Sequence, residues 1–186
     1  MKRALDFFLA SLAAVIFFPP FLALAVLVKL TSRGPVLYWS DRVGQHNHLF
    51  KMPKLRTMRT DTPVVATHLL DDPTRFLTPI GGFLRKSSLD EIPQLWCIMR
   101  GDMSIVGPRP ALFNQHDLIS LRTEQGVHSL RPGLTGWAQV NGRDELAIPD
   151  KVKLDANYLK WQSLAFDARI IMLTLVKVVR RDGITH

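Results

Sequence analysis

A chain of 186 residues is long enough for one domain with a real core and short for two. Nearly half of it is apolar (47%) although 22% is charged, so the apolar residues must be concentrated locally; the net charge of +8 favours anionic partners, whether nucleic acid, phosphorylated substrates or an acidic membrane surface. The single Cys97 excludes an internal disulfide and any CxxC metal or redox pair.

Phe7 to Val28 is an uncharged run of 22 positions, long enough to cross a hydrocarbon core of about 30 Å. A cleaved signal peptide fits poorly, because its apolar stretch is shorter and here the small-residue run Ala23–Leu24–Ala25 lies inside the segment. Pro19 and Pro20 remove two backbone donors in mid-segment, which predicts a break or a sharp kink. The longer arm would then reach only about 18 Å at 1.5 Å per residue. Lys2 and Arg3 precede the run, while Lys29 and Arg33 follow it. If positive charge stays cytoplasmic, both ends lie on one side and the segment re-enters; a kinked single span is the alternative. Asp6 is placed to pair with Arg3 at the interface. From Lys29 to Arg59 there are seven Lys/Arg and one acid, Asp41, a stretch suited to anionic headgroups.

Further along, residues 35–42 and 48–55 read as a short hairpin around Gly44–Asn47, with Pro53 marking its second strand as an edge. Residues 60–75 read as a polar loop. A helix is predicted over 89–100, ended by Gly101, with Ser88 or Asp90 as its cap. Residues 104–113 read as extended or turning, and 131–143 as a Gly-rich loop with a short strand-like piece. Two helices follow, over about 151–162 with Asp150 as N-cap and 164–181 between Ser163 and Gly183. The last one mixes Ile, Leu and Val with Arg169, Lys177, Arg180 and Arg181, which suits either a helix in the headgroup plane or a core helix with a basic face.

The most informative stretch is Ser87 to Pro110. Pro93 has no N–H and must lie in a first helical turn, which puts Asp90 and Glu91 at a helix N-terminus. Two acids there can simply complement the helix dipole, the commoner role; alternatively one attacks while the other handles a proton or orients a metal. Arginines stand nearby in loop contexts: Arg85, Arg109 between Pro108 and Pro110, Arg131 before Pro132–Gly133, and Arg143 after Asn141–Gly142. Their planar forks suit a diphosphate, and Lys54 and Arg56 could add to the same field. Each alone could equally be solvated surface charge; together with a membrane segment and a carboxylate pair they favour an anionic substrate. His46 and His48 lack a third zinc ligand in register, no P-loop or dinucleotide-binding loop is present, and the four tryptophans read as interface anchors or core rather than base-stacking platforms.

KRALD at 2–6, the proline-broken apolar helix, FKMPKLRTM at 50–58, the block at 87–110 and RPGLTGWAQVNGR at 131–143 resemble the bacterial sugar transferases, more narrowly the small monotopic phosphoglycosyl transferases. The resemblance runs over nearly the whole chain. It implies a helix-rich mixed α/β fold: residues 1–30 as the re-entrant membrane helix, with Lys2, Arg3, Asp6, Pro19 and Pro20 as hinge and anchor, and 31–186 as a catalytic domain with a small hairpin and interfacial amphipathic helices. It implies transfer of a sugar 1-phosphate from a UDP-linked sugar to undecaprenyl phosphate with release of UMP, at the cytoplasmic face of the bacterial inner membrane, and no role for nucleic acid. Asp90 would be the nucleophile and hold Mg²⁺, Glu91 would assist deprotonation of the lipid phosphate, and Lys54, Arg85, Arg109, Pro110, Arg131 and Arg143 would bind phosphate. The family hinge often reads Ser–Pro; here Phe18–Pro19–Pro20 stands in its place. A catalytically silent basic adaptor, or a phosphatase using water as acceptor, are the rival readings.

Overall fold

The computed structural model describes residues 1–63, 72–142 and 146–180. It is a helix-rich α/β fold with two small sheets. Helix α1 (Lys2–Thr31) is followed by the antiparallel hairpin β1 (Leu37–Val43) and β2 (Leu49–Leu55), in which Trp39 faces Pro53 and Tyr38 faces Lys54. Helix α2 (Gly81–Lys86), a 3₁₀ segment (Leu89–Gln94) and α3 (Leu95–Arg100) follow. Strand β3 (Ser104–Val106) pairs in parallel with β4 (Gly133–Thr135), across an excursion that contains α4 (His116–Glu124). The short α5 (Trp137–Val140), then α6 (Ile148–Trp161) and α7 (Leu164–Arg180), complete the chain.

Helix α1 is long and apolar enough to cross a membrane, and almost none of its apolar stretch is buried. It runs as one element through Pro19 and Pro20, so of the break or sharp kink expected there the break does not occur. The two prolines still deprive the carbonyls of Val15 and Ile16 of their intrahelical donors. Burial changes at the same place. Ala10 packs with Phe50, Leu95 and Ile98, and Leu24 and Val28 pack with Leu55 and Leu84, whereas every residue from Val15 to Pro20 is exposed. Both ends of α1 therefore rest on the folded domain while its proline-bearing middle does not.

Polar latches hold those ends. The expected Arg3–Asp6 pair does not form. Arg3 donates to the carbonyls of Ile98 and Met99, at the C-terminus of α3 where a cation complements the helix dipole. Buried Asp6 accepts from Ser104 Oγ at 2.8 Å and from the Ile105 amide at 3.2 Å. Lys2 reaches Asp167 Oδ2 at 2.5 Å, and Asp167 in turn accepts from the Tyr158 hydroxyl, which also donates to Val106 O. At the other end Arg56 departs from the sequence reading. It is 4% exposed and donates to the carbonyls of Ser32, Arg33 and Pro35 and to Ser32 Oγ, so it closes the turn after α1 instead of facing a ligand.

Pro93 divides the predicted 89–100 helix, because it cannot donate to Leu89 O and its ring would crowd that carbonyl in α geometry; the tighter 3₁₀ turn takes residues 89–94. The stretch read as a Gly-rich loop is a backbone contact: a Cβ on Gly133 would stand 2.1 Å from Gly107 N, and one on Gly136 2.0 Å from Gly107 O. Only glycine permits that approach. Helix α6 starts with Pro149 in its first turn and has no side-chain cap; Asp150 pairs with Lys153 instead, at 3.1 Å. Ser163 does bond the Phe166 amide at the start of α7, while Gly183 lies outside the described residues. Helix α7 buries Ile170 and exposes Met172, Leu175, Val176 and Val178 on another face.

Replacing Arg56 by Met leaves three carbonyls without their donor and should cost about 3 kcal/mol, a fall in melting temperature of roughly 6–12 °C in detergent or nanodiscs. Arg56→Lys, which cannot fork to several acceptors at once, should fall between the two.

Candidate active site

Four elements converge on Asp90 and Glu91. The hairpin supplies Lys54, the C-terminal turn of α2 supplies Arg85, the 3₁₀ segment carries the carboxylates, and the loop after β3 supplies Arg109. Lys54 Nζ lies 3.2 Å from Glu91 Oε1, and Arg109 Nη1 lies 3.5 Å from the same oxygen. Arg85 is steadied by Thr57 Oγ1 at 3.1 Å and Met58 Sδ at 3.3 Å, which leaves its charge acting on Asp90.

Asp90 is 6% exposed. Burial pushes its carboxyl above the usual aspartate range and Glu91 adds to this, while Lys54, Arg85 and Arg109 pull the other way. None of these groups acts on Asp90 through a hydrogen bond. The carboxylate is held in a field of cations without being tied to one of them. Burial likewise pushes the Lys54 ammonium below the usual lysine range, and Glu91 opposes that shift. The expected help from a helix terminus is slight, because the carboxylates open a six-residue 3₁₀ segment with no side-chain cap from Ser88, which is itself left-handed (φ 56). The cations replace the dipole.

The loop bearing Arg109 is fixed almost atom by atom. Pro108 O accepts from Gly133 N at 2.9 Å, Arg109 O from Arg122 Nη1 at 2.8 Å, Pro110 O from Arg42 Nη1 at 3.1 Å, and Ala111 O from Val43 N at 3.0 Å. Arg122 is itself held by a buried ion pair, its Nε and Nη2 donating to Asp155 Oδ2 at 3.0 and 2.6 Å. Pro108 and Pro110 flank the arginine and narrow its backbone further. Pro110 thus serves through its carbonyl and its ring.

Asp90, Glu91, Lys54, Arg85 and Arg109 are brought together as the sequence suggested. Arg131 is not among the charges acting on Asp90; it enters β4, its carbonyl against Gly107. Arg143 lies outside the described residues. Sequence reasoning missed Arg42, which adds to the field at Lys54, and the Arg122–Asp155 pair. Arg42 stood within the hairpin already recognised as basic. Nothing in the sequence signals a pairing across the 33 residues between α4 and α6.

A protein oxygen, a general base beside it and a set of cations can together transfer a phosphoryl group. The donor set also suits Mg²⁺, which commonly takes one or two carboxylates and completes its shell with substrate phosphate oxygens and water. Among the described residues no group of three or more His, Cys, Asp or Glu offers a more complete cage.

Residues 1–181 match the family model described as bacterial sugar transferase. The chain is 38% identical over 186 residues to the UDP-glucose:undecaprenyl-phosphate glucose-1-phosphate transferase of Escherichia coli K12, an alignment covering 95% of this chain and 40% of that protein. It is 41% identical over 187 residues to the protein of the same name from Xanthomonas campestris pv. campestris, covering 96% and 38%. With the uncharacterized sugar transferase EpsL of Bacillus subtilis it shares 39% identity over 191 residues, 99% of this chain and 90% of that one. The chain therefore spans about two fifths of the two glucose-1-phosphate transferases and nearly all of EpsL.

Because burial raises the pKa of Asp90 in the folded chain above its unfolded value, the native state binds more protons between the two values, and stability falls as pH rises through that window. Asp90→Asn should therefore melt a few degrees higher than the parent at neutral pH. That advantage should shrink as pH falls through the folded pKa, which paired melting curves over a pH series will read.

Proposed function

The chain belongs to the bacterial sugar transferase family, and from that premise we propose that it transfers a sugar 1-phosphate from a UDP-linked sugar to undecaprenyl phosphate at the cytoplasmic face of a bacterial inner membrane. Such a step starts glycan assembly on a lipid. The observation that carries this reading is the buried Asp90 carboxylate, next to Glu91 and faced by Lys54, Arg85 and Arg109. The names of the E. coli and Xanthomonas relatives supply the acceptor and the donor class.

In the first step an Asp90 oxygen bonds to the sugar-bearing phosphorus as the bond from that phosphorus to the bridging oxygen breaks, and UMP leaves with the electron pair. In the second, an oxygen of undecaprenyl phosphate attacks the same phosphorus, the Asp90–phosphorus bond breaks, and the carboxylate is restored as the lipid diphosphate sugar departs. Glu91 takes the proton carried by the lipid phosphate. Lys54, Arg85 and Arg109 offset the charge of the diphosphate, without which an anionic nucleophile could not approach. Asp90 would also hold Mg²⁺, which when bound would supply further neutralisation of the diphosphate charge. Burial raises the basicity of the Asp90 carboxylate, and Lys54, Arg85 and Arg109 oppose that shift by favouring its ionised form. Because the intermediate is covalent, a soluble donor and a lipid acceptor use one site in turn.

Purified protein with Mg²⁺, UDP-sugar and undecaprenyl phosphate should release UMP, and Asp90→Asn should lower turnover by about 10³-fold or more. Intact mass of the parent treated with donor alone should rise by one sugar phosphate. Full activity in Asp90→Asn, or continued UMP release beyond one equivalent per enzyme without the lipid, would refute the assignment; the latter outcome would support the hydrolase.

For α1 we infer a re-entrant arrangement, supported by the basic flanks at both ends, by two ends resting on one domain and by the exposed proline-bearing middle. Single cysteines placed before residue 6 and after residue 30, in a Cys97→Ser background, should label from the same side of sealed vesicles. Labelling from opposite sides would establish a spanning helix.

A further inference from the structure

The contacts that hold Arg85 differ in kind from those of the other two cations. Lys54 and Arg109 both pair with the Glu91 carboxylate, whereas Arg85 donates through Nε to Thr57 Oγ1 at 3.1 Å and through Nη2 to Met58 Sδ at 3.3 Å. A hydroxyl and a thioether carry no charge, so these two acceptors fix one edge of the guanidinium without cancelling its field, and that field reaches Asp90. Local structure explains how Thr57 comes to stand there. After β2 the chain runs alongside residues 76–78: Met58 forms an antiparallel bridge with Leu77, Arg59 N donates to Phe76 O at 2.8 Å, and Thr78 N donates to Thr57 O at 2.9 Å. Helix α2 begins on the same carbonyl, since a Cβ on Gly81 would stand 2.1 Å from Thr57 O. Gly81 and Arg85 are four positions apart and share a face of α2. One buried residue therefore meets both ends of this short helix, its carbonyl against Gly81 and its hydroxyl on Arg85.

We propose that Thr57, with Met58 beside it, is a positioning residue for the transfer, setting the angle at which Arg85 faces the Asp90 carboxylate and the phosphorus it attacks. The assignment rests on the transferase reading above. The rival role is packing alone, with Thr57 merely seating α2 on the domain. The two roles separate chemically. Packing needs the volume of the side chain and the backbone carbonyl, while aiming needs the Oγ1 acceptor. Without an acceptor on Nε the guanidinium keeps its charge and loses its direction, and catalysis by a fixed charge depends on direction.

The quantity to measure is the rate at which UDP-sugar alone adds one sugar phosphate to the protein in nanodiscs, followed by intact mass, with melting curves as a check on the fold. Thr57→Val keeps the branched shape and the carbonyl but loses the acceptor, and the rate should fall about tenfold, as small displacements in an active site do. Thr57→Ser restores a hydroxyl and should stay within about twofold of the parent. In an Arg85→Met background there is no guanidinium to aim, so adding Thr57→Val should slow the rate by less than about twofold, the non-additivity of partners in contact. A parental rate in Thr57→Val, a Thr57→Ser rate as slow as that of Thr57→Val, or losses that add in the Arg85→Met background would each overturn the assignment. If Thr57→Val melts below the assay temperature, Met58→Leu takes its place. That change conserves volume and removes the weaker acceptor, so the rate should fall about threefold, and only when Arg85 is present; an unchanged rate would overturn the proposal. If the parent itself forms no adduct, the covalent transferase reading fails instead, and that control separates the two failures.

Discussion

Asp90 is an ionisable group taken almost completely out of water, and the surrounding structure must supply what water would have given it. Desolvation of a carboxylate is expensive enough that proteins usually neutralise or tightly pair it. Here no tight pair to Asp90 forms. Glu91 takes the direct contacts with Lys54 and Arg109, and Asp90 receives their charge only through space. The arrangement separates two jobs that adjacent carboxylates would otherwise share. One acid anchors the cations, and the other is left with its oxygens available to an electrophile.

Such a field works only if the cations cannot drift. The Arg109 loop shows how rigidity is obtained from ordinary parts. Glycines at 107, 133 and 136 let two backbones touch, two prolines narrow the loop, and four successive carbonyls are each held by a different donor. The buried Arg122–Asp155 pair belongs to this system. Burying such a pair rarely adds much net stability. Its value here is directional, because Asp155 occupies two of the guanidinium donors and turns the third onto Arg109 O.

The sequence disclosed the parts that depend on residue type and local spacing. The uncharged run gave α1, Pro53 and the turn residues gave the hairpin, Gly101 gave the end of α3, and the Asp90–Glu91 block pointed to carboxylates that Lys54, Arg85 and Arg109 surround. It failed where tertiary contact decides. Arg56 stands between recognised basic residues, and only the fold shows that it turns inward to carbonyls. The β3–β4 pair is three residues on each side and parallel, too short for a periodic signal and joined by a long excursion. Helices α2, α4 and α5 were not foreseen: α2 and α5 are too short to declare themselves by periodicity, and α4 shows little amphipathic contrast. Pro19–Pro20 misled in a different way. Proline removes donors from a helix in any setting, but whether the helix ends there depends on the contacts its two arms make.

The contacts of the two arms also connect α1 to the charged group. The N-terminal arm of α1 is latched by Asp6 to Ser104 and Ile105, and by Lys2 through Asp167 and Tyr158 to Val106 O, all on β3. Three residues beyond β3 stands Arg109. The C-terminal arm is latched through Arg56, two positions after Lys54. Each end of the apolar helix is thus tied to a segment that delivers one cation to Glu91. Shifting either arm of α1 relative to the domain would therefore carry Lys54 or Arg109 with it, so the seating of this helix and the geometry around Asp90 are coupled through the same hydrogen bonds.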